Sequence, residues 1–135
     1  MLVVENDPGL QELFLTFLKK VGFSRVVVGT ARSAMTSLRK QKFDFMFLDL
    51  QLPDAPADEV YKRVKQIDPD LHVIVITGDL DSETLDRILL GSPVTVLKKP
   101  LKVEQLNQTV TILGHNLPGS ADRALRRRVG AGHGD

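Results

Sequence analysis

The 135-residue chain contains no cysteine, which excludes disulfide scaffolds, thiolate zinc sites and thiol nucleophiles. Its longest apolar runs, such as Phe45-Met46-Phe47-Leu48, are far too short to span a bilayer. Only four residues precede the first acidic one, so no signal peptide is expected and a cytoplasmic address follows. An excess of one charge is also missing. The 18 basic and 17 acidic side chains leave a net +1, which predicts no global attraction to nucleic acid or to a membrane. What is present, 42% hydrophobic and 26% charged residues, suits a soluble globular protein, and the length suits one core.

The near-neutral total divides unevenly. From Gly114 onward, Arg123, Arg126, Arg127 and Arg128 stand against Asp122 and Asp135, a net +2, while residues 1–113 carry 14 basic and 15 acidic groups. The same 22 residues hold five of the ten glycines and few large apolar side chains. A folded unit over 1–113 and a flexible basic tail or linker over 114–135 are therefore expected. Four arginines without interleaved aromatics are weak evidence for a nucleic-acid or acidic-partner site and read better as a solvated charge run, and the tail is too short for an effector domain. Output is thus expected to run through a partner, or through a part of a parent chain not present here.

Before the tail, short apolar runs alternate with helically spaced stretches. Leu2-Val3-Val4, Val26-Val27-Val28, Phe45 to Leu48, Val73 to Ile76 and Val94 to Leu97 read as strands. Between them, Leu10, Leu13, Phe14, Phe17, Leu18 and Val21 trace a helix face that starts at Pro8 and is closed by Gly22. Ala31, Ala34, Met35 and Leu38 trace a second, with Thr30 as N-cap. Val60, Val64 and Ile67 mark a third that Pro69 stops. Leu85, Ile88 and Leu89 mark a fourth, capped by Asp81 or Ser82, and Val103, Leu106, Val110 and Leu113 a fifth. Five βα units with buried strands predict an open α/β fold, a parallel doubly wound sheet with helices on both faces. Ligands of such sheets sit beyond the carboxyl ends of the strands.

Those ends read Glu5-Asn6-Asp7, Asp49, Thr77-Gly78-Asp79 and Lys98-Lys99-Pro100. Three or four acidic groups crowded there repel one another unless a cation compensates. An oxygen-only set without histidine or cysteine points to Mg²⁺ or a similar hard ion.

The segments LVVENDP (2–8), FDFMFLDLQLPD (43–54), VIVITGD (73–79) and VLKKPL (96–101) resemble, in order and spacing, the receiver domain of two-component response regulators. The resemblance spans residues 1–113 and implies a flavodoxin-like (βα)5 sheet of strand order 2-1-3-4-5. It implies that Asp49 accepts a phosphoryl group from a sensor histidine kinase or phosphotransfer protein, and that Glu5, Asn6, Asp49 and the Gln51 carbonyl hold Mg²⁺. Thr77 would bond a phosphoryl oxygen, Lys99 would pair with it, and the Lys99-Pro100 peptide would be cis. Gly78 would leave room for the group, with Lys98 facing solvent. Apart from its own aspartyl phosphorylation and dephosphorylation, no enzyme activity is implied. Output would run through helix four, strand five and helix five, to a downstream protein or a second copy, with no direct nucleic-acid binding and no membrane.

Three positions depart from the family pattern. Asn6 stands where an aspartate ligand is usual, so a weaker metal site is expected. Val96 stands where many receivers carry a switching aromatic, and Ala57 replaces a common glycine after the proline-rich loop 53–56. Asn6 and Val96 keep open a phosphorylation-independent interaction scaffold, against which the retention of Asp49, Thr77 and Lys99 argues. A flavodoxin-like nucleotide binder fits less well, because no glycine-rich phosphate loop follows the first strand. Gln51 and Asp79 could position or block a hydrolytic water.

Overall fold

The computed structural model describes residues 1–91 and 94–116. The elements alternate as β1 (Leu2–Val4), α1 (Pro8–Val21), β2 (Val26–Val28), α2 (Ala31–Lys40), β3 (Phe45–Asp49), α3 (Ala57–Ile67), β4 (His72–Thr77), α4 (Glu83–Gly91), β5 (Thr95–Lys98) and α5 (Val103–Asn116). All strand pairs are parallel, in the order β2-β1-β3-β4-β5, as expected. Helix α5 runs past Leu113, where the sequence put the end of the folded part. The remainder of the expected basic tail, 117–135, lies outside the described residues.

The helix signals act as read. Asp7 accepts the Leu10 amide at 2.8 Å and caps α1, and Gly22 closes it at φ 83°, a left-handed conformation that glycine adopts without a Cβ clash. Thr30 accepts the Ser33 amide and caps α2. Of the two candidates before α4, Ser82 makes the cap, its Oγ accepting from Leu85 at 3.1 Å.

Strand alternation builds two cores, because successive side chains point to opposite faces. Leu2, Val4, Met46, Leu48, Val73 and Val75 pack under α2, α3 and α4, with Ala34, Met35, Tyr61, Val64 and Ile88. Val3, Phe45, Phe47, Ile74, Ile76 and Leu97 pack under α1 and α5, with Phe14, Phe17, Leu18, Leu106 and Val110. Phe14 and Phe47 meet at 4.9 Å between ring centroids, and burying each ring contributes about 2–3 kcal/mol.

Three helix faces are narrower than the spacing suggested. Ile67, Leu89 and Val103 are 43%, 43% and 48% exposed, since each sits beside the buried stripe of its helix, formed by Val60 and Val64 in α3, by Leu85 and Ile88 in α4 and by Leu106 and Val110 in α5.

Candidate functional site at the carboxyl edge of the sheet

The same alternation decides what reaches the edge together. Glu5 follows β1 in the phase of Val3, and Asp49 ends β3 in the phase of Phe45 and Phe47, so both lean toward the α1 and α5 side. Beyond β5, Lys99 is in the phase of Leu97, and its amide extends the ladder to the Thr77 carbonyl at 2.8 Å. Lys98 falls in the opposite phase and is exposed, as expected. The Lys99-Pro100 peptide is cis.

Asp49 and Thr77 are the last residues of β3 and β4 rather than the first beyond them, because the ladder continues to Asp49 opposite Ile76 and Thr77 opposite Lys98. The sheet therefore fixes their backbones. The Asp49 carboxylate is nearly buried, its Oδ1 accepts the Gln51 amide at 3.1 Å, and its Oδ2 lies 3.2 Å from Lys99 Nζ. Glu5, fully buried, accepts the Asp7 amide on Oε1 at 3.0 Å, while Oε2 stands 3.6 Å from Lys99 Nζ without a hydrogen-bond partner. Burial, and then the neighbouring Asp49 carboxyl, push the Glu5 carboxyl up to about 7, against the pull of the Asp7 amide and the Lys99 charge.

An open cleft of about 730 Å³ lies over these groups, walled by Glu5, Asn6, Asp49, Gln51, Lys99 and the start of α1. The donor set fits a hard divalent cation: two carboxylates, the Asn6 amide and the Gln51 carbonyl are all oxygen donors, and buried Glu5 Oε2 lacks the partner a cation would supply. The expected crowd of three or four acids is reduced to the pair Glu5 and Asp49. Asp7 spends its carboxylate on the α1 cap and Asp79 on the Asp81 amide, and no cluster of three acidic or histidine side chains occurs among the described residues.

The model for the response regulator receiver domain matches residues 1–111. The chain belongs to that family. A luminescence regulatory protein LuxO of Vibrio campbellii is 31% identical over 108 residues, covering 80% of this chain and 24% of that protein. A two-component response regulator from Clostridium difficile superposes with a TM-score of 0.79 at 20% identity, covering 85% and 94% of the two chains. The receiver domain of a sensor histidine kinase from Pseudomonas aeruginosa, described with a magnesium ion in its active-site cleft, gives 0.74 at 20% identity, covering 83% and 93%. The chain is thus a receiver domain of two-component signalling with the fold of those structures. It spans about a quarter of the first relative, and no helix among the described residues is long and apolar enough to cross a membrane.

Of the receiver's expected site residues, Glu5, Asn6, Asp49, Gln51 and Lys99 come together and Thr77 does not. Thr77 is in the phase of Val73 and Val75, on the α2 to α4 side, and its hydroxyl is occupied by its own loop: it donates to the Asp79 carbonyl at 2.9 Å and accepts the Asp79 amide at 3.0 Å. Gly78 leaves open space, since a Cβ there would meet nothing within 4 Å. Two supporting residues escaped sequence reading. The Gln11 side-chain Nε2 of α1 donates to the Glu5 carbonyl at 2.6 Å, and Asp54 accepts the Ala31 and Arg32 backbone amides at 2.8 and 3.0 Å. Gln11 follows Glu5 within one helix start and could have been suspected; Asp54 and Ala31 are 23 residues apart and carry no local signal.

Proposed function

We propose that this receiver accepts a phosphoryl group on Asp49 from the phosphohistidine of a sensor kinase or phosphotransfer protein, and that the modification changes which partner it binds. The observation that carries this reading is an ionisable carboxylate fixed at the end of β3, 3.2 Å from a lysine ammonium, beneath an open cleft. An Asp49 oxygen attacks phosphorus, the phosphorus–nitrogen bond of the donor breaks, and its electron pair returns to the imidazole. Lys99, already against Asp49 Oδ2, sits where charge on the phosphoryl oxygens needs a counterpart. Mg²⁺, held by Glu5, Asn6, Asp49 and the Gln51 carbonyl, would neutralise negative charge on the transferring group. Thr77 would have to leave its Asp79 contacts to reach a phosphoryl oxygen, which gives the domain two states to switch between.

Leu89 and Leu90 of α4 and Val103 and Ile112 of α5 are exposed, and support output through α4, β5 and α5 to a downstream protein or second copy. Val96 is half-buried against the α2 to α4 core and supplies no aromatic switch. The reading includes a cytoplasmic setting and no turnover beyond the domain's own phosphorylation and dephosphorylation. Intact mass after incubation with Mg²⁺ and acetyl phosphate tests it: one phosphoryl group should add to the native chain and none to Asp49→Asn. No gain in the native chain favours the phosphorylation-independent scaffold, and an equal gain in the variant places the phosphoryl group on a residue other than Asp49 and overturns the reading.

A further inference from the structure

The loop from Leu50 to Pro56 joins the candidate acceptor to α3. It is held at its start by the Leu50 amide on the Ile76 carbonyl, 3.0 Å, and by the Gln51 amide on Asp49 Oδ1, 3.1 Å. Pro53 and Pro56 have no amide to offer, so its far end needs another anchor. Asp54 supplies one. Its two carboxylate oxygens take the Ala31 and Arg32 amides separately, at 2.8 and 3.0 Å, while Thr30 takes Ser33 with its hydroxyl and Ala34 with its carbonyl. The amides of the first turn of α2 are thereby all satisfied, two of them by a residue from the acceptor loop. These two bonds hold the Asp54 carboxyl below the usual carboxylate range, so the clamp is charged at neutral pH.

We propose that Asp54 is a positioning residue for the phosphoryl-transfer site: by clamping the first turn of α2 it pins the loop that begins at Asp49 and sets where the Gln51 carbonyl stands. The proposal rests on the acceptor reading given above. It couples two places in the fold, since a loop displaced from the cleft must release two α2 amides, and a ligand that fixes the loop must protect them. A simple helix cap would not couple them, and Thr30, which caps the same helix from its own side, provides the control.

The test compares Asp54→Ala, Asp54→Asn and Thr30→Ala by amide hydrogen exchange and by Mg²⁺ titration followed through the Asp49 and Gln51 amide shifts. In chelator, Asp54→Ala should speed exchange at Ala31, Arg32 and Gln51 by about threefold or more, with Thr30→Ala leaving Gln51 unchanged. Asp54→Asn, which keeps one acceptor oxygen, should fall between native and Asp54→Ala. The Mg²⁺ half-saturation should rise about threefold or more in Asp54→Ala and stay native in Thr30→Ala. If Gln51 exchanges in Asp54→Ala as it does in Thr30→Ala, Asp54 is only a cap and the proposal is overturned. If the native domain binds no Mg²⁺ while Gln51 still responds to Asp54→Ala, the clamp stands and the metal reading of the site falls.

Discussion

Replacing Glu5 by glutamine isolates the cost of holding two carboxyls together at the sheet edge. Glu5 is fully buried, and its carboxyl is raised from 4.5 to about 7 by burial and by the neighbouring Asp49 carboxyl. Between those values the folded domain keeps a proton that the unfolded chain has released, so folding stability falls as pH rises through this window and levels off above it. At ~1.4 kcal/mol per pH unit, the fall amounts to about 3 kcal/mol, a sizeable share of the 5–15 kcal/mol typical of a domain. Glu5→Gln keeps the size of the side chain but cannot ionise. Urea unfolding of both proteins in chelator, from pH 4.5 to 8, should show the native protein losing about 3 kcal/mol relative to the variant. Groups remote from position 5 cancel in the comparison. Parallel profiles would refute the raised ionisation of Glu5.

Three further outcomes follow from particular side chains. Phe47→Ala removes a fully buried ring in contact with Phe14 and should cost about 3–5 kcal/mol in denaturant unfolding; a loss below 1 kcal/mol would contradict the packing of the α1 and α5 core. Gly22→Ala forces a Cβ into the left-handed conformation at φ 83° and should cost about 1–2 kcal/mol by the same assay, whereas a stabilised variant would contradict that backbone geometry. Asn6→Asp restores a charged ligand in the cleft wall and should tighten Mg²⁺ binding about tenfold by titration; an unchanged affinity would remove position 6 from the donor set.

The strands were legible because runs such as Val73-Ile74-Val75-Ile76 are β-branched and buried on both faces, and the helices because Pro8, Gly22 and Thr30 punctuate them. The choice of Lys99 over Lys98 was legible from the proline that follows, and the strand phase explains it physically. Harder to read was the direction of Thr77. It depends on β4 reaching position 77 in the phase opposite to Asp49, and on the Asp79 backbone offering the hydroxyl both a donor and an acceptor. The acidic crowding was overread for a related reason: Asp7 and Asp79 are near the edge in sequence, but local amides claim them. Asp54 was invisible because its partners come from another βα unit, and only the folded chain brings them within bonding distance.

Borohydride trapping decides whether Asp49 is the phosphoryl acceptor. Reduction of an acyl phosphate formed with acetyl phosphate and Mg²⁺ converts the modified aspartate to homoserine, which peptide mass mapping locates. Homoserine is expected at position 49 and nowhere else. Homoserine at another carboxylate, or none after full exposure to the donor, would contradict it.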